Sequence, residues 1–337
     1  MVENNKWSFF TILLVIFLSL SVFLLTFCKG TNSDPTVVYT VYLDGKAIGT
    51  IASEDSFNEF VNTKEDELKK KYNVDTVYTP RGVEIKKNLT YNNFINSDEQ
   101  VYNKIISSKN FTVRGYQIMI VNPDDENDSE IIYVLSKDIF DKAVENTIKA
   151  FVDKDQYDKF VSGTQEEVKD SGSMIENIDF QETVTYKETL ISTDEKIFTD
   201  VDELSKYLLY GTLDKQETYI VKDDDTIESI ANSHKLNVQE FLIANPEFTS
   251  ENNLLYESQE VVVGLINPII SVVVEKHSVE EEVKKYATEI KYDDELIIGY
   301  SYTEREGEDG VDKVTRKYQY INGQLADVAL VGSVEVK

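Results

Sequence analysis

The chain has 337 residues, 41% of them hydrophobic, and a formal net charge of −28. That length suits two or three domains with cores of their own, and the acidic balance excludes a nucleic-acid partner, whose phosphates need a basic surface. The single cysteine, Cys28, excludes an intramolecular disulfide and leaves a Cys–His hydrolase without a nucleophile.

In chain order, 7–28 is an apolar run interrupted only by Ser and Thr. At ~1.5 Å per residue it would span roughly 33 Å, enough for a ~30 Å hydrocarbon core and longer than a signal-peptide core. A transmembrane signal anchor is therefore expected within 1–35, holding the chain to the membrane through 7–28 with its C-terminal region outside the cell. Cleavage after Gly30, which would release a secreted protein, is the alternative.

From residue 36 the pattern changes to short strands and helices. Asp44-Gly45, between apolar runs, is a tight hairpin signal that needs positive backbone angles. Phe57, Phe60 and Val61 start a helix reaching Tyr72, and a second helix lies near 101–106. The strand 116–121 is expected to close this unit, and the polar stretch 122–129 to form a linker. A repeat follows: Val83, Ile85, Leu89, Tyr91 and Val101 recur as Ile178, Phe180, Val184, Tyr186 and Ile197, an offset of about 95 residues. Two copies of one small α+β unit are expected, at 36–122 and 131–216.

Residues 217–266 read strand, helix, helix, strand. Ile227, Ile230 and Ala231 share one helix face, and Thr226 is a candidate N-cap. Val238, Phe241, Leu242 and Ala244 mark a second helix, ended by Asn245-Pro246, and 261–263 is a strand. With Tyr219, Val221, Asp225 and Thr226, then Asn245 and Pro246, then Leu255, Gln259, Val261 and Val263, this stretch resembles the LysM domain. That module binds peptidoglycan and chitin. It departs from the family phrase at Asp224, where glycine is usual, and at Glu257-Ser258, where Pro-Gly is usual. The resemblance implies a shallow groove between two loops that accepts N-acetylglucosamine. It would be lined by Asp225, Thr226 and Ile227 in the first loop, and by Asn245, Pro246, Leu255 and Tyr256 in the second.

After Pro268 the chain reads as an exposed all-β ribbon over 269–337, with Val314, Arg316, Tyr318 and Tyr320 on one strand face and a hairpin at Asn322-Gly323. Glu281, Glu282, Thr288, Asp293, Leu296, Gly299, Gly307, Gly310 and Gly323 resemble the G-five domain of Gram-positive surface proteins. That family usually adds a final strand beyond the position of Lys337. The domain is thus expected to be incomplete, either trimmed or part of a longer gene product.

Anchor, paired units, LysM and G-five in this order resemble the N-terminal part of lysostaphin-type wall endopeptidases. Their zinc site needs H-x-x-x-D and H-x-H motifs, and His234 and His277, the only histidines here, sit in neither. No metal, no cofactor and no catalytic residue are expected; Asp223-Asp224-Asp225 lacks the spacing of a calcium loop. The expected fold class is multidomain α+β: an N-terminal transmembrane helix, two repeated small α+β units, a βααβ LysM module and a C-terminal all-β ribbon domain. The expected function is non-catalytic binding of peptidoglycan or another N-acetylglucosamine glycan at the cell wall. Two alternatives stand beside it: the targeting half of a zinc endopeptidase whose catalytic domain lies beyond residue 337, and a structural stalk or assembly scaffold.

Overall fold

The computed structural model of the chain describes residues 4–27, 34–91, 94–295 and 297–336. Cys28, Gly30 and Leu296, which entered the sequence reading, lie outside the described residues, as does Lys337.

The first element, α1 (Asn4–Phe27), follows the apolar run. Among the described residues, however, no helix is long and apolar enough to cross a membrane. This corrects the transmembrane helix expected over 7–28.

Two compact units divide the chain, Met1–Thr112 and Val113–Lys337. In the first, β1 (Thr36–Leu43) and β2 (Lys46–Ile51) form a hairpin, followed by α2 (Glu54–Tyr72), β3 (Val83–Thr90) and α3 (Asp98–Ile106). The turn takes the positive angles its residues allow, with φ of 51° at Asp44 and 80° at Gly45. The sheet order is β2-β1-β3. Val41, Ile51, Phe57, Val101 and Ile105 form the core beneath it. Gly49 on β2 lets α3 approach, because a Cβ there would lie 2.8 Å from the Val101 methyl.

The second unit opens with a hairpin of β4 (Thr112–Asn122) and β5 (Asp125–Val134). The strand expected to close the first unit thus starts the second, and the expected linker is the hairpin's tip. Composition misled here: Asp124 and Asp125 are exposed at the tip, while backbone pairing such as Val121 with Ser129 makes the strands. Then come α4 (Lys137–Phe151), α5 (Lys154–Ser162), β6 (Gly172–Phe180), β7 (Thr183–Ser192), β8 (Ile197–Phe198) and α6 (Val201–Tyr210). The sheet order is β7-β4-β5-β8. Both units therefore trace a hairpin, a helix, a strand beside the hairpin's first strand, and a helix. Between its helix and that strand, the second adds α5 and β6, which have no counterpart between α2 and β3. Ile118, Ile132, Phe140, Leu204 and Leu208 anchor its core. At the core's edge the Tyr207 hydroxyl donates to Glu130 at 2.5 Å; burial, reinforced by this bond, pushes the phenol up to about 12.

A small βααβ module follows: β9 (Thr218–Ile220), α7 (Ile227–Ser233), α8 (Val238–Ala244) and β10 (Glu260–Val262), the two strands antiparallel. The chain ends in an all-β region of β11 (Val272–Lys284), β12 (Gly310–Ile321) and β13 (Gln324–Glu335). The stretch expected to be either helical or extended, 278–286, is extended as far as Lys284.

These last strands do not form a sheet by themselves. Their order is β13-β12-β11-β6, so the strand added in the α+β unit completes the C-terminal sheet. The pairing runs from Val272 opposite Phe180 to Val279 opposite Gly172. Ile175 from β6 and Val272 and Val274 from β11 share one core with Ile148, Phe151 and Val152. Ion pairs flank the seam: Lys317 lies 3.3 Å from Glu176, and Lys313 lies 2.8 Å from Asp170. Ile243 of α8 packs against the same core, which seats the βααβ module beside this joint.

Candidate functional site

The two loops named from sequence leave the same end of the β9–β10 ribbon. Beyond the paired strands, the Val221 N–H donates to the Gln259 carbonyl at 2.8 Å, and the Ser258 N–H donates to the Val221 carbonyl at 2.9 Å. Lys222–Asp225 and Tyr256–Ser258 are thereby brought side by side.

In the first loop Asp225 is a structural clasp. Its Oδ2 accepts from the Lys222 N–H at 2.8 Å and from the Tyr219 hydroxyl at 3.0 Å. Thr226 caps α7: its hydroxyl accepts from the Ser229 N–H at 3.1 Å, and the Ser229 hydroxyl accepts from the Thr226 N–H at 2.9 Å. Ile227 is fully buried in the module's core with Ile230, Ala231, Phe241 and Val261.

In the second loop Asn245 is 2% exposed and ties α8 to β10. Its Nδ2 donates to the carbonyls of Phe241 at 2.9 Å and Val262 at 2.8 Å, and its Oδ1 accepts from the Val262 N–H at 2.7 Å. An asparagine side chain has four hydrogen-bonding positions, so little capacity is left for a ligand. Val262 lies four residues along β10 from Ser258, roughly 13 Å at strand rise. The structure therefore joins Asp225 and Thr226 with Tyr256, but sets the Asn245 side chain at the far end of the ribbon. Pro246, next to it, is exposed. Leu255 is half-buried against the core. Tyr256 is 70% exposed, with its N–H donating to Gln259 Oε1 at 3.2 Å. Leu254, 78% exposed, was missed in the sequence. Its exposure beside the half-buried Leu255 is a tertiary fact, since the two leucines read alike in a polar loop.

Of the predicted residues, Tyr256 thus offers a free side-chain surface, Leu255 and Pro246 part of one, and Asp225, Thr226, Ile227 and Asn245 build the frame. The two histidines are engaged elsewhere. His234 Nδ1 lies 2.9 Å from the Ile230 carbonyl with its ring edge-on to Tyr219, and His277 faces Glu176 at 3.5 Å. Among the described residues no group of three or more His, Cys, Asp or Glu is placed to hold a metal ion.

The two departures from the glycine pattern have a visible cost. Asp224 has φ 66° and Ser258 φ 69°, the left-handed region where a Cβ is strained and glycine is at ease. Asp224→Gly and Ser258→Gly are each expected to stabilise the module, by about 0.5–1 kcal/mol. Thermal unfolding of the two variants checks this, and alanine at either position should bring no gain.

The LysM domain model matches 219–264, and the G5 domain model matches 274–337. No curated protein and no solved structure matches the chain. The first match begins within β9 and ends just past β10; the second covers most of β11 and all of β12 and β13. The chain carries a LysM domain followed by a G5 domain.

Proposed function

We propose that the chain is a non-catalytic wall-binding protein that acts outside the cell and holds peptidoglycan, or another glycan containing N-acetylglucosamine, through its LysM domain. The supporting observation is the LysM match laid over two loops that meet at one end of the ribbon, where Leu254 and Tyr256 expose apolar surface. Sugar rings present apolar faces to such side chains, and backbone groups in the loops can meet the N-acetyl amides. Both matched domains are carbohydrate-associated modules. The chain's charge of −28 accords with a glycan that is neutral rather than anionic.

The test is retention of the protein on purified peptidoglycan. The wild-type protein is expected to sediment with the wall material. Tyr256→Ala should lower retention at least fivefold with the unfolding midpoint unchanged, because this side chain is exposed. Equal recovery of the wild-type protein in the supernatant with and without wall material would refute the reading.

A further inference from the structure

We propose that Tyr219 is a positioning residue of the glycan site: acting through Asp225, its hydroxyl holds the first loop in the binding shape against the backbone strain at Asp224. This rests on the glycan-binding reading above and adds a residue that lies outside both loops.

Tyr219 stands in β9 opposite Val261. It is half-buried and packs against the module's core. Its ring meets the His234 ring edge-on, with centroids 5.0 Å apart, and Lys222 Nζ lies 5.4 Å from its centroid. His234 is the C-cap of α7. The ring is thus wedged between the end of that helix and the loop, which fixes where its hydroxyl can reach. That hydroxyl donates to Asp225 Oδ2 at 3.0 Å, and the same oxygen accepts from the Lys222 N–H at 2.8 Å. The Lys222 carbonyl in turn accepts from the Asp225 N–H at 3.3 Å. The turn is closed by these three bonds, while Lys222, Asp223 and Asp224 themselves are exposed.

Inside the closed turn Asp224 has φ 66°. A residue with a Cβ resists this left-handed region, so the turn has a standing tendency to relax. The tyrosine opposes it with a donor on a packed ring. Tyr219→Phe keeps the ring and removes only the hydroxyl, leaving Asp225 Oδ2 without one of its two donors. The turn then populates shapes in which Asp224 has left the left-handed region. A smaller binding-competent fraction raises the apparent dissociation constant in inverse proportion. Glycine takes positive φ about as readily as negative. Asp224→Gly therefore restores the competent fraction without the hydroxyl. Alanine removes the same charge but keeps the strain, and restores nothing.

The test is a sedimentation isotherm of the full chain on purified peptidoglycan, well below the unfolding midpoint, for the wild type and four variants. Tyr219→Phe is expected to raise the apparent dissociation constant about threefold or more. The double variant Tyr219→Phe, Asp224→Gly should return to within about 1.5-fold of the wild type, as should Asp224→Gly alone. Tyr219→Phe, Asp224→Ala should stay as weak as Tyr219→Phe. The Lys222 amide resonance should move in Tyr219→Phe and move back in the glycine double variant. A merely structural tyrosine would lower the unfolding midpoint without this selective rescue. If Tyr219→Phe binds like the wild type, the positioning role is overturned and the glycan reading stands. If glycine fails to rescue, or alanine rescues equally, the coupling to Asp224 is overturned. If the wild type itself does not bind, the glycan reading falls and this inference falls with it.

Discussion

Asn245→Ala is expected to cost the LysM domain about 2–4 kcal/mol and to unfold it while the rest of the chain stays folded. The side chain makes three hydrogen bonds, two of them to the Val262 N–H and carbonyl, and so stands where a neighbouring strand would otherwise pair with β10. Truncation leaves those backbone groups without partners in a part-buried setting, and a buried group left unmade costs about 1–3 kcal/mol. The domain's whole stability is small: at about 0.05–0.15 kcal/mol per residue, 46 residues hold only about 2–7 kcal/mol. Hydrogen exchange on the full chain would check this. Protection over 219–264 should collapse in the variant while that over 113–210 persists. Retention of full protection over 219–264 would show that Asn245 is no strut. Glycan retention should then follow folding, and so would not distinguish a ligand contact from a frame residue; Tyr256→Ala makes that distinction.

Ile175→Asp is expected to have the largest effect in the molecule, because it strikes two elements at once. Ile175 is 2% exposed in the core that β6 shares with α4 and β11. A carboxylate there has no counter-ion within the apolar cluster, a change expected to cost about 4 kcal/mol or more. The conservative Ile175→Val should cost only about 1 kcal/mol. Since β6 is the fourth strand of the G5 sheet, exchange protection should fall in β11 as well as at the end of α4. Unchanged protection throughout β11 and β12 would mean that the G5 domain holds itself together without β6. The free edge of β6 is already closed by Gln165, whose amide donates to the Ile175 carbonyl and whose Oε1 accepts from its N–H, both at 2.9 Å. The strand is thus bonded on both sides, and its loss would leave backbone groups unpaired on β11 and on Gln165 alike.

Much of the LysM domain was legible in the sequence because its determinants are local. Thr226 and Asn237 each cap a helix with the residue three positions on, and Ile227, Ile230, Ala231 and Phe241 follow the helical period into one core. The hairpins at Asp44-Gly45 and Asn322-Gly323 were legible for the same reason: two adjacent residues that tolerate positive φ specify the turn. The candidate site was legible as a pair of loops, but not residue by residue. A side chain that lines a groove and one that braces it look the same in a sequence. Only the partners of Asp225 and Asn245 showed that these two are braces, and only its exposure brought in Leu254.

By itself the sequence determined the two LysM helices and the turns at Asp44-Gly45 and Asn322-Gly323, the presence of the LysM and G5 domains, and the acidic charge that any ligand meets. Those depend on neighbours a few residues apart and on plain summation. The tertiary structure alone decided that β4 opens the second unit and that β6 joins β11 across about ninety residues of chain. Strand pairing is made by backbone groups that every residue carries, so the identity of a distant partner leaves no mark on the segment that receives it.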